Sequence, residues 1–177
     1  MKQIIHDFDE YDRRFNKEPL EQTVGKRLRQ KDLTVSVAES CTGGLVSSML
    51  TDVSGSSEYI KLNFVTYSNE AKSEILGVDS KILEKYGAVS KETAVQMAFG
   101  TVKRAKCDIG LAITGIAGPT GGTDEKPVGL VYIALCDNVN SEVTELRLKP
   151  SYSRKEIKML SSINALNLLL EFISTKV

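Results

Sequence analysis

Histidine and cysteine are scarce in this 177-residue sequence, and their scarcity excludes several kinds of catalytic site. The one histidine, His6, lies near the start of the chain, so a Ser-His-Asp or Cys-His arrangement within one subunit is not expected. The three cysteines, Cys41, Cys107 and Cys136, are widely spaced, and no two of them form a CxxC pair. That pattern argues against both a disulfide framework and a zinc site. We therefore expect a reduced protein with no metal centre and no bound cofactor.

The sequence also lacks a surplus of charge, a signal peptide and a long apolar run. Its 23 basic and 23 acidic side chains give a formal net charge of zero, which does not suit a protein whose main task is binding nucleic acid. Residues 2–14 are polar, unlike the core of a signal peptide, and no run approaches the roughly 20 apolar residues that span a bilayer. We expect a cytoplasmic protein that binds neither nucleic acid nor a membrane.

The length and the 41% share of hydrophobic residues fit one domain with its own core. Residues 1–18 are charge-rich and poorly patterned, and we interpret them as an N-terminal extension that is loosely ordered or contacts a partner subunit. Pro19 suits the first turn of a helix, and apolar residues then recur every four positions along LEQTVGKRLRQK. The folded domain is therefore expected to cover residues 19–177.

Short β-branched segments alternate with helical patterns along the rest of the chain. Buried strands are predicted at 34–38 and 108–114, a further strand at 59–67, and an antiparallel hairpin at 129–148. Helices are predicted at about 45–53, 68–77, 90–105 and 153–173. Together these elements predict an α/β protein, a single three-layer α/β/α domain with a mixed sheet of about five strands. Ligands of such sheets bind at the strand ends, where the ESCTGG and TGIAGP loops are expected.

The stretch AESCTGGL, residues 38–45, places two potential nucleophiles side by side at the end of a strand. Ser40 is expected at a strand-to-helix turn, where Gly43 and Gly44 let the backbone approach a ligand and free N–H groups attract an anion or an oxyanion. Cys41 is the weaker candidate, because a cysteine at such a place is more often buried and inert. The alternative is a simple helix cap, in which Ser40 or Thr42 bonds to a free backbone N–H group.

A serine nucleophile needs a base, and without histidine the choice narrows to a lysine, a carboxylate or a metal-bound hydroxide. The stretch TYSNEAK places Tyr67 at a strand end and Lys72 in the first turns of a helix. Lys72 acts as a base only if its pKa falls from about 10.4 to about 7 or 8, and partial burial and the positive end of a helix both act in that direction. The alternatives are that Lys72 is a solvated surface lysine and that Tyr67 is a half-buried residue of a strand.

Two more segments could line the same pocket. The glycine-rich loop TGIAGPTGGTDEKPVG, residues 114–129, suits close approach of the backbone to a ligand, and Thr114 could point its hydroxyl into the pocket. Arg154, at the start of the last helix, suits a phosphate or a carboxylate. The alternatives are that residues 114–129 form a mobile loop and that Arg154 is an ordinary surface arginine.

Four stretches together resemble the C-terminal domain of the CinA proteins, over about residues 20–172: VAESCTGGL, YSNEAKSEILGV, GAVSKETA and DIGLAITGIAGPTGGTDEKPVGLVYIAL. This domain family also includes nicotinamide-nucleotide amidohydrolases. The resemblance implies hydrolysis of the carboxamide of nicotinamide mononucleotide (NMN) to nicotinate mononucleotide and ammonia. It also implies the chemistry of a serine amidase with a lysine base.

Carried onto this sequence, the resemblance makes Ser40, Lys72 and Tyr67 the expected catalytic residues. The expected substrate-binding residues are Cys41, Thr42, Gly43, Gly44, Asn69, Thr114, Gly115, Gly118 and Arg154. The family has a G-D/N-R pattern near its last helix, whereas this chain has Tyr152 and Ser153 before Arg154. The charged group is retained, and the two residues before it differ.

Two other functions stay open from the sequence. The chain could bind a nucleotide without turnover, or it could act on another small carboxamide. The expected partner is the small-molecule substrate NMN, and a homo-oligomer, a dimer or larger, is expected for a small α/β enzyme. The physiological role stays open between recycling of NAD and the response to DNA damage.

Overall fold

The computed structural model describes residues 2–176, whose framework is a five-stranded mixed sheet in the order β2-β1-β3-β4-β5. The strands are β1 (Val35–Glu39), β2 (Phe64–Val65), β3 (Ile109–Gly115), β4 (Leu130–Cys136) and β5 (Ser141–Arg147). Strand β1 runs parallel to both β2 and β3, and β4 is antiparallel to both β3 and β5. The predicted mixed sheet of about five strands is confirmed.

Helices cover both faces of this sheet. Within the described residues they are α1 (Phe8–Phe15), α2 (Leu20–Gln30), α3 (Leu45–Thr51), α4 (Asn69–Leu76), α5 (Ser80–Tyr86), α6 (Lys91–Ala105) and α7 (Arg154–Ser174). One apolar cluster joins the sheet to α2, α3 and α7, and a second cluster joins its other face to α4, α5 and α6. The chain therefore forms the predicted three-layer α/β/α domain.

The alternation of side chains along the strands explains the two layers. Val35, Val37 and Leu111 belong to the cluster with α7, whereas Ala38 and Ala112 belong to the cluster with α6. Successive side chains of a strand point to opposite faces, so the large residues pack against one layer and the alanines against the other. The small residues bring α6 close to the sheet.

Polar residues begin the helices that the sequence predicted. The side chains of Ser68, Ser90 and Ser153 accept hydrogen bonds from backbone N–H groups in the first turns of α4, α6 and α7. Gly77 ends α4 in the left-handed region, at φ +72°. These boundaries lie close to those of the predicted helices.

Two predictions of local structure are corrected. Only Phe64–Val65 of the predicted strand 59–67 pairs with β1 as a strand, with Ile60 forming an isolated bridge to Val35. Tyr59 is instead a buried core residue, and its hydroxyl donates to the Leu50 carbonyl at 2.9 Å. The aromatic side chain therefore packs in the core and does not mark a strand. The short helix α5 was not predicted.

Residues 2–18 of the N-terminal extension pack against the rest of the same chain and are not loosely ordered, and the alternative, a contact with a partner subunit, stays a prediction. The extension contains α1, and Ile5 is completely buried against the core. The side-chain amide of Asn164 on α7 accepts from the Ile5 N–H and donates to the Ile5 carbonyl, both at 2.8 Å. The extension therefore packs along α7 as part of the same core.

Helix α7 is long and apolar enough to cross a bilayer by length and composition alone. However, 72% of the 18-residue apolar segment of this helix is buried inside the fold, as is typical of a core helix. Its residues from Ile157 to Ile173 supply much of the larger apolar cluster.

Candidate active site

The topology brings two of the predicted loops to one edge of the sheet. Strands β1 and β3 are parallel neighbours, so their carboxyl ends meet at the same edge. The Ser40 N–H, just after β1, donates to the Ile113 carbonyl near the end of β3 at 3.0 Å. Ser40 and Thr114 consequently face the same space.

A buried carboxylate fixes the turn that carries Ser40. Glu39 is completely buried, and its carboxylate accepts from the N–H groups of Gly44, Val46 and Ser47 at 3.0, 3.1 and 2.8 Å. It also accepts from the Ser47 hydroxyl at 2.6 Å. Glu39 therefore satisfies the free N–H groups at the start of α3 and holds the turn after β1 in one conformation.

This arrangement corrects the expected role of the glycine pair. Gly43 and Gly44 adopt positive φ angles of +62° and +96°, which the tight turn requires. Their N–H groups are already engaged, since that of Gly43 donates to the Ser40 carbonyl at 3.1 Å and that of Gly44 to Glu39. The glycines shape the turn, and the anion at the start of α3 is the protein's own carboxylate.

Two other N–H groups of the turn are not used in backbone pairing. Within residues 2–176, those of Cys41 and Thr42 donate to no backbone carbonyl. These are the first two residues after Ser40. A backbone N–H group just after a nucleophile commonly stabilises the oxyanion that forms there.

Lys72 lies beside the Ser40 hydroxyl. Its side chain comes from α4, is 1% exposed, and places Nζ 3.1 Å from Ser40 Oγ. The Lys72 amine also donates to the carbonyls of Thr66, Tyr67 and Ser68, at 2.8, 3.4 and 3.4 Å. Burial lowers the pKa of Lys72 below its ordinary value of 10.5, while Cys41 and Glu70 raise it to a smaller extent.

Cys41 is poorly suited to be the nucleophile. The thiol is buried, and burial raises its pKa to about 12, so it stays protonated at neutral pH. The preference for Ser40 over its neighbour agrees with this environment.

A second cluster of contacts joins Tyr67, Arg154 and Gly118. The guanidinium of Arg154 donates through Nη1 to the Gly118 carbonyl and through Nη2 to the Tyr67 hydroxyl, both at 2.8 Å. The Tyr67 side chain is 61% exposed. Its hydroxyl therefore holds Arg154 at the rim, and it has no hydrogen bond to Lys72 or Ser40 among the described residues.

Thr114 lines the cleft, as expected, and its side-chain hydrogen has a partner in the protein. The Thr114 hydroxyl donates to the Ala88 carbonyl at 2.8 Å. Because that hydrogen is committed, the Thr114 oxygen is left to accept a hydrogen bond from a ligand.

These side chains surround a cleft of about 220 Å³. The residues that line it are Ser40, Cys41, Tyr67, Lys72, Ala88, Val89, Thr114, Gly115, Ala117 and Arg154. Larger clefts, such as one of about 470 Å³ beside α6, lie elsewhere on the surface. The smaller cleft is the candidate site because it holds a buried amine next to a hydroxyl.

Most of the residues expected at the site line this cleft, and five do not. Thr42 is buried in the turn, and Asn69 is exposed at the start of α4. Gly43 and Gly44 shape the turn, and Gly118 contributes only its carbonyl to Arg154. Sequence reasoning missed the role of Glu39 and the lining residues Ala88 and Val89, although GAVSKETA was among the stretches that resembled the family.

Comparisons with known proteins agree with the fold and with the family resemblance. The family model described as the CinA C-terminal domain matches residues 17–173. A CinA-like protein of Kosmotoga olearia is 53% identical over 147 residues, which cover 83% of this chain and 36% of that protein. The chain spans little more than a third of the length of the curated relatives it matches.

Solved structures share the whole fold. The competence/damage inducible protein CihA from Agrobacterium tumefaciens has a TM-score of 0.83 and 38% identity, covering 99% of this chain and all of that one. A CinA superfamily protein from Escherichia coli has a TM-score of 0.81 and 34% identity, covering 86% and 88% of the two chains.

Proposed function

The chain belongs to the family of CinA C-terminal domains, and from this premise we propose that it hydrolyses the carboxamide of NMN to nicotinate mononucleotide and ammonia. The observation that carries the proposal is the buried amine of Lys72 lying 3.1 Å from Ser40 Oγ. A hydroxyl becomes a useful nucleophile when an adjacent base removes its proton, and this pair supplies both groups.

The contacts of Lys72 suit a neutral amine. A neutral amine has two N–H groups and one lone pair, whereas an ammonium has three N–H groups and no acceptor. The carbonyls of Thr66, Tyr67 and Ser68 take the two N–H groups, one of them shared between the two contacts at 3.4 Å. In this neutral form the lone pair can accept the hydrogen of the Ser40 hydroxyl, whose oxygen lies 3.1 Å from Nζ.

The same surroundings suit the reaction that follows. As Ser40 attacks the amide carbon, its proton moves to Lys72, and the three carbonyl dipoles stabilise the charge that forms on the amine. Burial lowers the pKa of Lys72, which favours the neutral form that can take the Ser40 proton. The Ser40 oxygen forms a bond to the carbon, and the amide oxygen becomes the oxyanion.

The remaining steps use groups that lie in the same cleft. The N–H group of Cys41 donates to the oxyanion, and the Thr114 oxygen accepts a hydrogen bond from the amide nitrogen. The Lys72 ammonium returns its proton to that nitrogen as the carbon–nitrogen bond breaks and ammonia leaves. Water then attacks the acyl-serine, with Lys72 again acting as the base. The bond between the acyl carbon and the Ser40 oxygen breaks, the Lys72 proton returns to that oxygen, and nicotinate mononucleotide leaves.

Arg154 is proposed to bind the substrate rather than to react with it. Its contacts with Gly118 and Tyr67 fix the guanidinium at the rim of the cleft and leave other N–H groups for an anion. Tyr67 consequently acts by positioning Arg154, and the proton transfers are left to Lys72. This differs from the role that the resemblance implied for Tyr67.

The proposal is tested by incubating the purified protein with NMN and measuring ammonia together with the mass of the nucleotide product. Equal amounts of ammonia and nicotinate mononucleotide are expected. Thermal stabilisation by NMN without ammonia would instead favour a binding module without turnover. Faster turnover of nicotinamide, nicotinamide riboside or glutamine would favour an amidase for another small carboxamide.

A cytoplasmic location and a homo-oligomeric state are further parts of this proposal. Cell fractionation tests the first, and light scattering on the purified chain tests the second.

A further inference from the structure

Lys126, near the end of the glycine-rich loop, bonds to a segment 40 residues earlier in the chain. Its Nζ donates to the Tyr86 carbonyl at 2.5 Å and lies 3.2 Å from the place that a Cβ atom on Gly87 would occupy. Two exposed acidic residues, Asp124 and Glu125, directly precede it. Among the described residues, however, no carboxylate lies within 4.0 Å of the Lys126 ammonium. The charged donor therefore holds a distant carbonyl, although anions are close to it in the sequence.

This bond ends on the wall segment, residues 86–89, which borders the cleft through Ala88 and Val89. Helix α6 holds the wall segment through two hydroxyls at its start, which donate to the Gly87 carbonyl at 3.0 and 2.8 Å. Strand β3 holds it through the Thr114 hydroxyl, which donates to the Ala88 carbonyl. The glycine-rich loop is thus a third element that bonds to this wall.

The loop also borders the cleft, through Ala117. In the part of the chain that the structure describes, only two hydrogen bonds join residues 117–126 to segments beyond the loop. One is donated by Arg154 of α7 to the Gly118 carbonyl, and the other is donated by Lys126 to the wall segment. Without Lys126, the loop is bonded to α7 alone.

We propose that Lys126 is a positioning residue, which fixes the glycine-rich loop against the wall segment and so sets the fit of the cleft around its substrate. The cleft residues on these two segments, Ala88, Val89 and Ala117, offer a small apolar surface for the ring that carries the carboxamide. Lys126 does not line the cleft, so it acts through these residues. That the cleft takes a carboxamide substrate rests on the proposed function.

The reacting groups are held by other elements. Ser40 is set by the contacts of Glu39 with the start of α3, and Lys72 is set by α4. The 3.1 Å between Lys72 Nζ and Ser40 Oγ therefore does not depend on Lys126. Loosening the loop weakens the binding of the substrate and of the transition state alike, which raises KM and leaves kcat nearly unaltered.

Three variants separate this role from a general effect on stability. Lys126→Met removes the charged donor, and Lys126→Arg restores one. Lys81→Met changes an exposed lysine of α5 and is the matched control. Circular dichroism first shows that each variant is folded.

Amide hydrogen exchange tests the contact without turnover. The N–H groups of Gly87 and Thr123 report on the wall segment and on the loop, since they donate to the Leu83 and Lys126 carbonyls, both at 2.9 Å. Their exchange should quicken by about tenfold in Lys126→Met and stay unaltered in Lys81→Met. Unaltered exchange at Gly87 in Lys126→Met would overturn the contact.

Steady-state kinetics with NMN tests the positioning role. Lys126→Met should raise KM by about tenfold with kcat within about threefold of the wild type, and Lys126→Arg should restore most of the lost affinity. A lower kcat with an unaltered KM, or equal effects of Lys126→Met and Lys126→Arg, would overturn the role. If the wild type releases no ammonia, the amidase is refuted, and the exchange at Gly87 still decides whether Lys126 fixes the loop.

Discussion

Lys72 Nζ lies 3.1 Å from Ser40 Oγ, although 32 residues separate the two in the chain. Ser40 is set by the end of β1 and by Glu39, whereas Lys72 is set by α4, whose N-terminal cap is Ser68. Two independently anchored elements therefore bring the amine and the hydroxyl together, and neither group needs to move before reacting.

Replacing Ser40 with alanine removes the nucleophile and leaves the cleft otherwise intact. We expect ammonia release from NMN to fall by about a thousandfold or more, while calorimetry still detects NMN binding. Ser48→Ala, which changes an exposed serine of α3, is the matched control and should retain turnover. Ammonia release by Ser40→Ala at the rate of the Ser48→Ala control would exclude Ser40 as the nucleophile.

Replacing Lys72 with methionine tests how its burial couples stability to pH. Because the folded-state pKa is lowered below 10.5, the unfolded chain holds more protons than the folded one as the pH falls below that value. The stability contributed by the neutral amine is thus complete above pH 10.5 and is lost as the pH falls through the lowered pKa.

Urea unfolding of both proteins at several pH values measures this effect. The free energy of unfolding of the wild type should rise with pH relative to that of Lys72→Met, between neutral pH and about pH 10. A constant difference across that range would mean that Lys72 titrates equally in the folded and unfolded chains.

Replacing Tyr67 with phenylalanine removes the hydroxyl that accepts from Arg154. If Tyr67 only positions Arg154, KM for NMN should rise several-fold while kcat changes little. Steady-state kinetics separates this from a role in proton transfer, for which kcat would fall by about a hundredfold with KM nearly unaltered.

Truncating Ile5 tests whether the N-terminal extension belongs to the core. The side chain is completely buried, so Ile5→Ala should lower the free energy of unfolding by about 2–5 kcal/mol. Ile4→Ala, at a partly buried neighbour, is the control and should cost less. A loss below about 0.5 kcal/mol for Ile5→Ala would show that the extension adds little to stability.

Much of the fold follows from short-range patterns in the sequence. Caps such as Ser90 and Ser153 act on their own first turns, and the alternation in β1 and β3 is a property of single strands. The parallel pairing of β1 with β3 then places Ser40 near Thr114. Local rules were therefore sufficient to predict the three layers and the edge of the sheet that carries the site.

The remaining features depend on contacts between distant residues. Ile5 is buried in the main apolar cluster, and Asn164, 159 residues later, bonds to its backbone, but nothing in residues 1–18 indicates this partner. Similarly, a glutamate such as Glu39 is expected at a surface, and its burial becomes favourable only when the start of α3 supplies its hydrogen bonds. Patterns in one segment do not encode such pairs.

The most direct test of the account compares the pKa of Lys72 with the pH dependence of catalysis. NMR of protein with ¹³C-labelled lysine Cε gives the pKa of Lys72, assigned by its absence from the Lys72→Met spectrum, and kcat/KM for NMN is measured over the same pH range. The account predicts a pKa below 10.5 that coincides with the rise of kcat/KM. A Lys72 that titrates at its ordinary pKa, in a protein already fully active at neutral pH, would contradict it.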